Sequence, residues 1–190
     1  MTLQFKIQLS NISKPTVWRR VLVPADFTFD DFHSVIQISF GWGFAHLYQF
    51  SPQGYGSHPL IAEISDEDWD EPDLDASKTK LKSIFKTENQ KFTYIYDFGD
   101  DWVHKITLEK ILKEKITTPK CLKGKGKCPP ENCGGPWGYE NILGILANPK
   151  HPEYKETKEW LFLDEDEEWD VNDFDIEDVN VMLEEEFEKE

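Results

Sequence analysis

Asp97, Asp100, Asp101 and His104 fall within one stretch of eight residues, a spacing that can join carboxylates to an imidazole at one point. Phe92 to Phe98 and Trp102 to Ile111 each alternate apolar with polar residues, and Gly99-Asp100 between them suits a type II′ turn. The spacing predicts a hairpin with a two-residue turn, placing Asp97 opposite Trp102 and Ile95 opposite His104. Asp97 and His104 then become diagonal neighbours on one face, about 7–8 Å apart. A cluster of this kind suits a divalent metal or a general base. The competing reading is ordinary turn chemistry at the tip, with His104 as a cross-strand partner. Asp97-Phe98-Gly99 is no kinase signature here, because the chain has no Gly-rich loop and no catalytic-loop motif.

A second concentration of chemistry runs from Pro119 to Tyr139 and holds all three cysteines. Its Gly and Pro density reads as a specified loop, neither helix nor strand. The spacing C-x6-C-x4-C lacks a compact zinc knuckle, so a zinc site here needs a fourth ligand such as His46 or His104. Lys120, Lys123, Lys125 and Lys127 surround Cys121 and Cys128, which favours a thiolate and a transient disulfide between those two. Small packed thiols are the plainer alternative. Glu131, held between Pro129-Pro130 and Gly134-Gly135, is expected to face the Asp97/His104 hairpin.

The chain has two arginines, Arg19 and Arg20, directly after Trp18. On a strand one of them shares the Trp18 side and the other faces away. A buried ion pair with an acid such as Asp97 or Glu131 is the structural expectation for the inward one, and substrate anchoring by Trp18, Arg19 and Arg20 is the functional one.

The elements that must position these groups are legible in part. Leu3 to Leu9 alternates as a half-buried strand, and Thr16 to Val23 reads as a second strand closed by Pro24. Thr28 and Asp31 form an N-terminal capping pattern, and Phe29, Phe32, Ile36 and Phe40 share a helical face ended by Gly41. His46 to Phe50 reads as a short strand, 63 to 75 as acidic loop, and Leu81 to Phe85 as a helical turn. Tyr139 to Ala147, Pro152 to Phe162 and Ile176 to Phe187 read as helices. The expected fold is α+β, a mixed or largely antiparallel sheet packed by helices, with the Cys/Gly/Pro-rich loop across one face. Residues 1–190 read as a single domain with an acidic, helical C-terminal segment over about 164–190.

A hydrophobic content of 38% with 14% aromatics points to a packed core rather than disorder. The net charge of −16 is unevenly spread. Glu63 to Asp75 carries eight acids and Asp164 to Glu190 fifteen, so the remaining 14 acids face twenty Lys and Arg. An anionic partner is therefore not excluded by net charge, and the acidic tail is expected to fold over the basic remainder. No secretory signal pattern and no apolar run of about 20 residues is present, which predicts a cytoplasmic protein without a membrane partner.

Several short patterns taken together resemble a known family. They are Pro15 with Val17-Trp18-Arg19-Arg20, Phe32-His33, Ile36-Gln37, Gly41-Trp42, and His46-Leu47 with Phe50. They continue in Tyr96-Asp97-Phe98-Gly99-Asp100 with Trp102 and His104, then Pro119, Cys121, Gly124, Gly126, Cys128-Pro129-Pro130-Glu131, Gly134-Gly135 and Gly138-Tyr139. The chain resembles the plasmid-borne open-reading-frame-three-like proteins named for a root-inducing plasmid, some of which carry the label of insertion-element passenger or resolvase-type protein. The resemblance implies an α+β domain and supplies no catalytic residues. Two departures from the family pattern count: Asn132 stands where many members have Asp, and Cys133 where many have an apolar residue, leaving Cys121 and Cys128 as the pair of interest. A serine-recombinase activity does not suit a chain with two adjacent arginines.

The leading expectation is a non-catalytic binding or accessory module associated with plasmids or mobile elements, its partner a protein or a nucleic-acid-associated complex. The alternative is a metal-dependent hydrolase or nuclease-like enzyme using His46, Asp97, Asp101, His104 and Glu131. In it a divalent ion held by His46, Asp97 and His104 would activate water.

Overall fold

The computed structural model describes residues 1–64 and 71–188. Strand β1 (Thr2–Leu9) buries Leu3, Phe5, Ile7 and Leu9 completely, while the alternate Lys6 and Gln8 face outward. That alternation sets the two faces of the whole sheet, because register carries it from strand to strand. β1 is central, pairing antiparallel with β2 (Trp18–Pro24) on one side and β7 (Trp102–Leu112) on the other. Outward from β7 follow β6 (Lys91–Tyr96), β3 (Tyr48–Ser51), β4 (Ile61–Ala62) and β5 (Leu74–Asp75), and β8 (Lys120–Lys125) borders β2. The β4 and β5 pair is parallel and the rest antiparallel, so the sheet is mixed as expected.

Helix α1 (Phe29–Phe40) lies against the inner face because its apolar stripe recurs at helical spacing. Thr28 Oγ1 accepts from the Asp31 amide at 3.1 Å, and Asp31 Oδ2 accepts from the Thr28 amide at 2.7 Å. Gly41 closes the helix at a φ of 87°, a left-handed conformation that glycine adopts without steric cost. Phe5, Phe29, Phe32, Phe50 and Phe85 interlock between sheet and helix, with Phe5 and Phe32 centroids 4.7 Å apart. The short α2 (Leu81–Ile84) buries Leu81 in the same core. Helices α3 (Gly135–Leu146) and α4 (Tyr154–Trp160) pack on each other, and α5 (Ile176–Phe187) packs on α1 and β8. No helix among the described residues is long and apolar enough to cross a membrane.

Three expectations need correction. The Pro119 to Tyr139 stretch is not all loop: Lys120–Lys125 is an edge strand and α3 already begins at Gly135. β2 otherwise exposes a row of unpaired backbone groups, and pairing with β8 satisfies them. The free edge of β8 is partly closed in turn by Asn180 of α5, whose amide accepts from Cys121 N at 2.8 Å and donates to Cys121 O at 3.0 Å. The acidic run is also only partly loop, since Leu74–Asp75 joins the sheet, while 65–70 lies outside the described residues. The C-terminal acidic segment is helical only from Ile176, although it does pack back on the rest of the chain, with Leu183 in the core and Asp173 paired with Lys127 at 2.8 Å.

Candidate functional site

The connection between β6 and β7 is five residues long. Asp97 and Asp101 both take left-handed φ values, 56° and 54°, a conformation that Asp tolerates because its side chain can bond locally. Asp97 Oδ1 accepts from the Gly99 and Asp100 amides at 2.9 and 3.3 Å. Tyr96 therefore opposes Trp102, and Tyr94 opposes His104. This register differs by one residue from the two-residue turn. A slip of one flips every later side chain to the other face, so His104 leaves the expected Asp97 face for the core.

There His104 is fully buried, edge-on to Phe40 and Trp42 at 4.9 and 5.1 Å, with Nδ1 donating to the Trp102 carbonyl at 2.8 Å. Burial pushes its pKa down to about 3, so the ring stays neutral. Asp101 is engaged by Tyr55, whose hydroxyl donates to Oδ1 at 2.5 Å. Of the five residues expected to act together, the structure joins three.

Those three are His46, Asp97 and Glu131. The loop after α1 turns at Gly41, and Phe44 takes a φ of 59° before His46 enters the approach to β3. On the other side, the segment after β8 is clamped to that loop: the Trp42 indole donates to Pro129 O at 3.1 Å, and the Gly43 amide donates to Glu131 Oε1 at 2.9 Å. Tyr96 completes the clamp by donating to the same Oε1 at 3.0 Å while accepting from the Ala45 amide at 3.0 Å. Burial first, and the Glu131 hydrogen bond second, hold the Tyr96 phenol protonated well above its ordinary range. The remaining oxygen, Glu131 Oε2, lies 3.5 Å from His46 Nε2, and Asp97 Oδ2 lies 3.5 Å from the same nitrogen. His46 Nε2 and Glu131 Oε2 are buried without a hydrogen-bond partner. Unpaired buried polar atoms cost free energy, on the order of 1–3 kcal/mol each, and the same cost falls on Ser10 Oγ, Ser39 Oγ, Trp102 Nε1 and His104 Nε2 elsewhere in the fold.

The 126–134 segment is fastened to the hairpin tip by glycines. Gly134 N donates to Asp100 Oδ2 at 3.1 Å, and Gly135, at a φ of 67°, comes so close that an added Cβ would lie 2.4 Å from Asp100 O. Gly135→Ala is therefore expected to cost about 2 kcal/mol or more, from the left-handed backbone and the clash together. Urea denaturation at neutral pH measures it, and a variant as stable as the parent would contradict the close approach.

His46 also lines a groove of about 490 Å3 whose walls include Phe44, Leu47 and Phe98, with Asp30 and Glu63 on its rim and His33 and Tyr48 at its base. Phe44, Leu47 and Phe98 are 48, 60 and 43% exposed, unusual for side chains of this size. Among the described lining residues none is Lys or Arg. His33 Nδ1 and Tyr94 OH are 2.8 Å apart, and the His33 ring stacks on Tyr48 at 3.8 Å. Burial pushes the His33 pKa down to about 3, so the ring that shares this bond with Tyr94 is neutral. Phe44 was not singled out from sequence, and His33, Leu47, Tyr96 and Phe98 were quoted only within short patterns, with no role assigned to them. The alternation of Tyr94 and Tyr96 along β6 is the signal that could have found this aromatic, hydrogen-bonded face.

Among the described residues no group of three or more His, Cys, Asp or Glu side chains is placed to hold a metal ion. The ligand set His46, Asp97 and His104 is thus not assembled. The arginines also depart from expectation. Arg19 points inward but pairs with carbonyls rather than an acid, and Arg20 pairs on the outer face with Glu109 at 2.6 and 2.8 Å. Trp18 shares the Arg20 side, 5.4 Å from its guanidinium. All three cysteines are free thiols. Burial raises the pKa of Cys121, Cys128 and Cys133, the last to about 12. The lysines do not activate them: Lys123 and Lys125 are exposed, and Lys127 pairs with Asp173 at 2.8 Å. Packed thiols are what the fold holds.

A mixed, mostly antiparallel sheet with helices against its inner face and a carboxylate-histidine cluster between two clamped loops defines an α+β protein. The chain belongs to the family of plasmid pRiA4b ORF-3-like proteins, whose model matches residues 1–178. It is 38% identical over 159 residues to the Uncharacterized protein y4hQ of Sinorhizobium fredii (strain NBRC 101917 / NGR234), covering 83% of this chain and 79% of that one. The crystal structure of MM3350 from Methanosarcina mazei Go1, titled a protein of unknown function, shares the fold. Its TM-score is 0.77 at 37% identity, over 93% of this chain and 96% of that one.

Proposed function

We propose that the protein is a non-catalytic binding module whose groove beside His46 receives a partner segment with an apolar body and a cationic group. One observation carries this reading: Phe44, Leu47 and Phe98 are exposed on the walls of a single groove whose charged rim residues, Asp30 and Glu63, are acids. Exposed aromatics converging on a concavity supply contact area at low entropic cost. The acids, with Asp97 and Asp100 nearby at the hairpin tip, select a cation. The protein acts at plasmid-associated functions as an accessory to that partner.

A peptide array probed with the labelled protein tests this. Segments with Lys or Arg beside Phe, Leu or Trp are expected to be retained, and Leu47→Ser with Phe98→Ser should reduce retention at least tenfold without lowering the melting temperature. Retention of acidic segments, or retention untouched by the two substitutions, would overturn the reading.

A hydrolase is the second reading, favoured by His46 Nε2 lying between two carboxylate oxygens with no hydrogen-bond partner. That arrangement suits a proton carrier. Calorimetric titration with Zn2+ and Mn2+ decides whether a metal acts there. Stoichiometric binding lost in both His46→Ala and Glu131→Gln would favour a metal-dependent hydrolase over the binding module.

A further inference from the structure

The outer face of the sheet, opposite the helices, carries a second surface of different chemistry. Register aligns Lys91, Thr107, Lys6, Arg20 and Lys123 in one row across five strands. The neighbouring row places Lys105, Gln8, Trp18 and Lys125 alongside it. All point away from the core, because their alternates Phe5, Ile7 and Val21 are wholly buried. Adjacent strands lie about 4.8 Å apart, so the rows run about 20 Å over the surface. A concavity of about 380 Å3 opens between Lys6, Lys91 and Lys105, walled by Pro52.

The charge is one-sided. Apart from the inward Arg19, strands β1, β2, β6, β7 and β8 hold eight Lys and Arg and a single carboxylate, Glu109. Glu109 is already consumed by Arg20 and by Gln4, whose amide donates to it at 2.8 Å. Lys6, Lys91, Lys105, Lys123 and Lys125 have no carboxylate opposite them in register. Trp18 stands half-exposed among them, 5.4 Å from the Lys6 ammonium and from the Arg20 guanidinium. Among the described residues, the acids of the two acidic runs lie elsewhere. The C-terminal run is anchored on the inner side, with Phe174 stacked on Arg19 at 3.9 Å and Leu183 in the core. The other run reaches the sheet at β5, the edge opposite β8.

We infer that this face docks a single-stranded nucleic acid. A row of lysines tracks a phosphate backbone, and an aromatic ring on an open sheet gives a base a surface to stack on. A duplex presents its bases paired and stacked, leaving Trp18 without that role. The surface is separate from the His46 groove, which is acidic and lies on other loops, so the two proposals fail or stand independently.

Anisotropy of a fluorescent oligothymidylate titrated with the full chain tests the inference. Binding is expected at low salt, weakening steeply as salt rises. The double variant K6Q/K105Q should weaken it at least tenfold and flatten the slope of log affinity on log salt by about 1.4, two phosphate contacts' worth. Trp18→Ala should weaken it at least fivefold, while Lys155→Gln on α4 should leave it unchanged. Unchanged melting temperatures show that the variants are folded. Absence of binding at low salt overturns the inference. So does a K155Q loss equal to that of the double variant, or equal affinity for duplex DNA or heparin combined with no effect of Trp18→Ala, since either marks diffuse charge attraction.

Discussion

Replacing Arg19 by alanine is expected to cost about 4 kcal/mol or more of folding stability, enough to unfold a marginal domain. Its guanidinium is almost wholly buried and donates to four carbonyls: Nε to Ser39 O at 2.6 Å, Nη1 to Trp18 O and Lys125 O at 3.0 Å each, and Nη2 to Gly126 O at 3.0 Å. Phe174 and Phe40 lie over it at 3.9 and 5.0 Å. Burial lowers its pKa to about 10, which leaves it charged at neutral pH. The residue therefore ties the end of α1, the β2 to β8 junction and the C-terminal segment to one another. Removing it strands the buried carbonyls and opens a cavity, and each unsatisfied group costs roughly 1–3 kcal/mol. Arg19→Lys keeps the charge but not the planar fork, so about half the loss is expected. Urea denaturation of both variants measures the difference. An R19A protein within about 1 kcal/mol of the parent would show that these bonds contribute little.

Stability is expected to fall sharply between pH 6.5 and 5. His33 and His104 both have folded-state pKa values pushed down to about 3 by burial, against about 6.5 in an unfolded chain. A depressed folded pKa means that the unfolded state binds the proton first. The contribution is therefore complete above about pH 6.5 and is lost as pH falls toward about 3. Each ring removes about 1.4 kcal/mol per pH unit in that window, so the pair removes about 4 kcal/mol by pH 5. Carboxylates with ordinary pKa values near 4 hardly titrate there, so the histidines dominate the slope. Chemical denaturation at pH 7, 6 and 5 reads the slope directly, and His104→Asn should reduce it by about half. A flat profile over that range would mean that these rings are hydrated or paired in the folded state.

What the chain determines by itself is what depends on near neighbours. The alternation of Leu3 to Leu9 makes β1 because a pleated strand must bury every second residue. The capping box of Thr28 and Asp31 and the left-handed Gly41 bound α1 within a residue of the positions read from spacing. Ile176–Phe187 likewise emerged as a helix from its apolar period. Family membership was also legible, since short motifs spread along the chain match the family model over residues 1–178.

Tertiary structure decided the site. Two aspartates in left-handed conformations lengthened one turn to five residues, and that shift of one register moved His104 from the carboxylates into the aromatic core. The Lys120–Lys125 stretch became a strand because β2 had an edge to fill, not because its own sequence prefers one. Glu131 stands 85 positions from His46 in the chain, and it meets His46 only because Trp42, Gly43 and Tyr96 clamp one loop against another. Periodicity reports the face a residue takes within its own element. Which faces meet is set by packing between elements, where contacts distant in sequence compete and no local spacing records the winner.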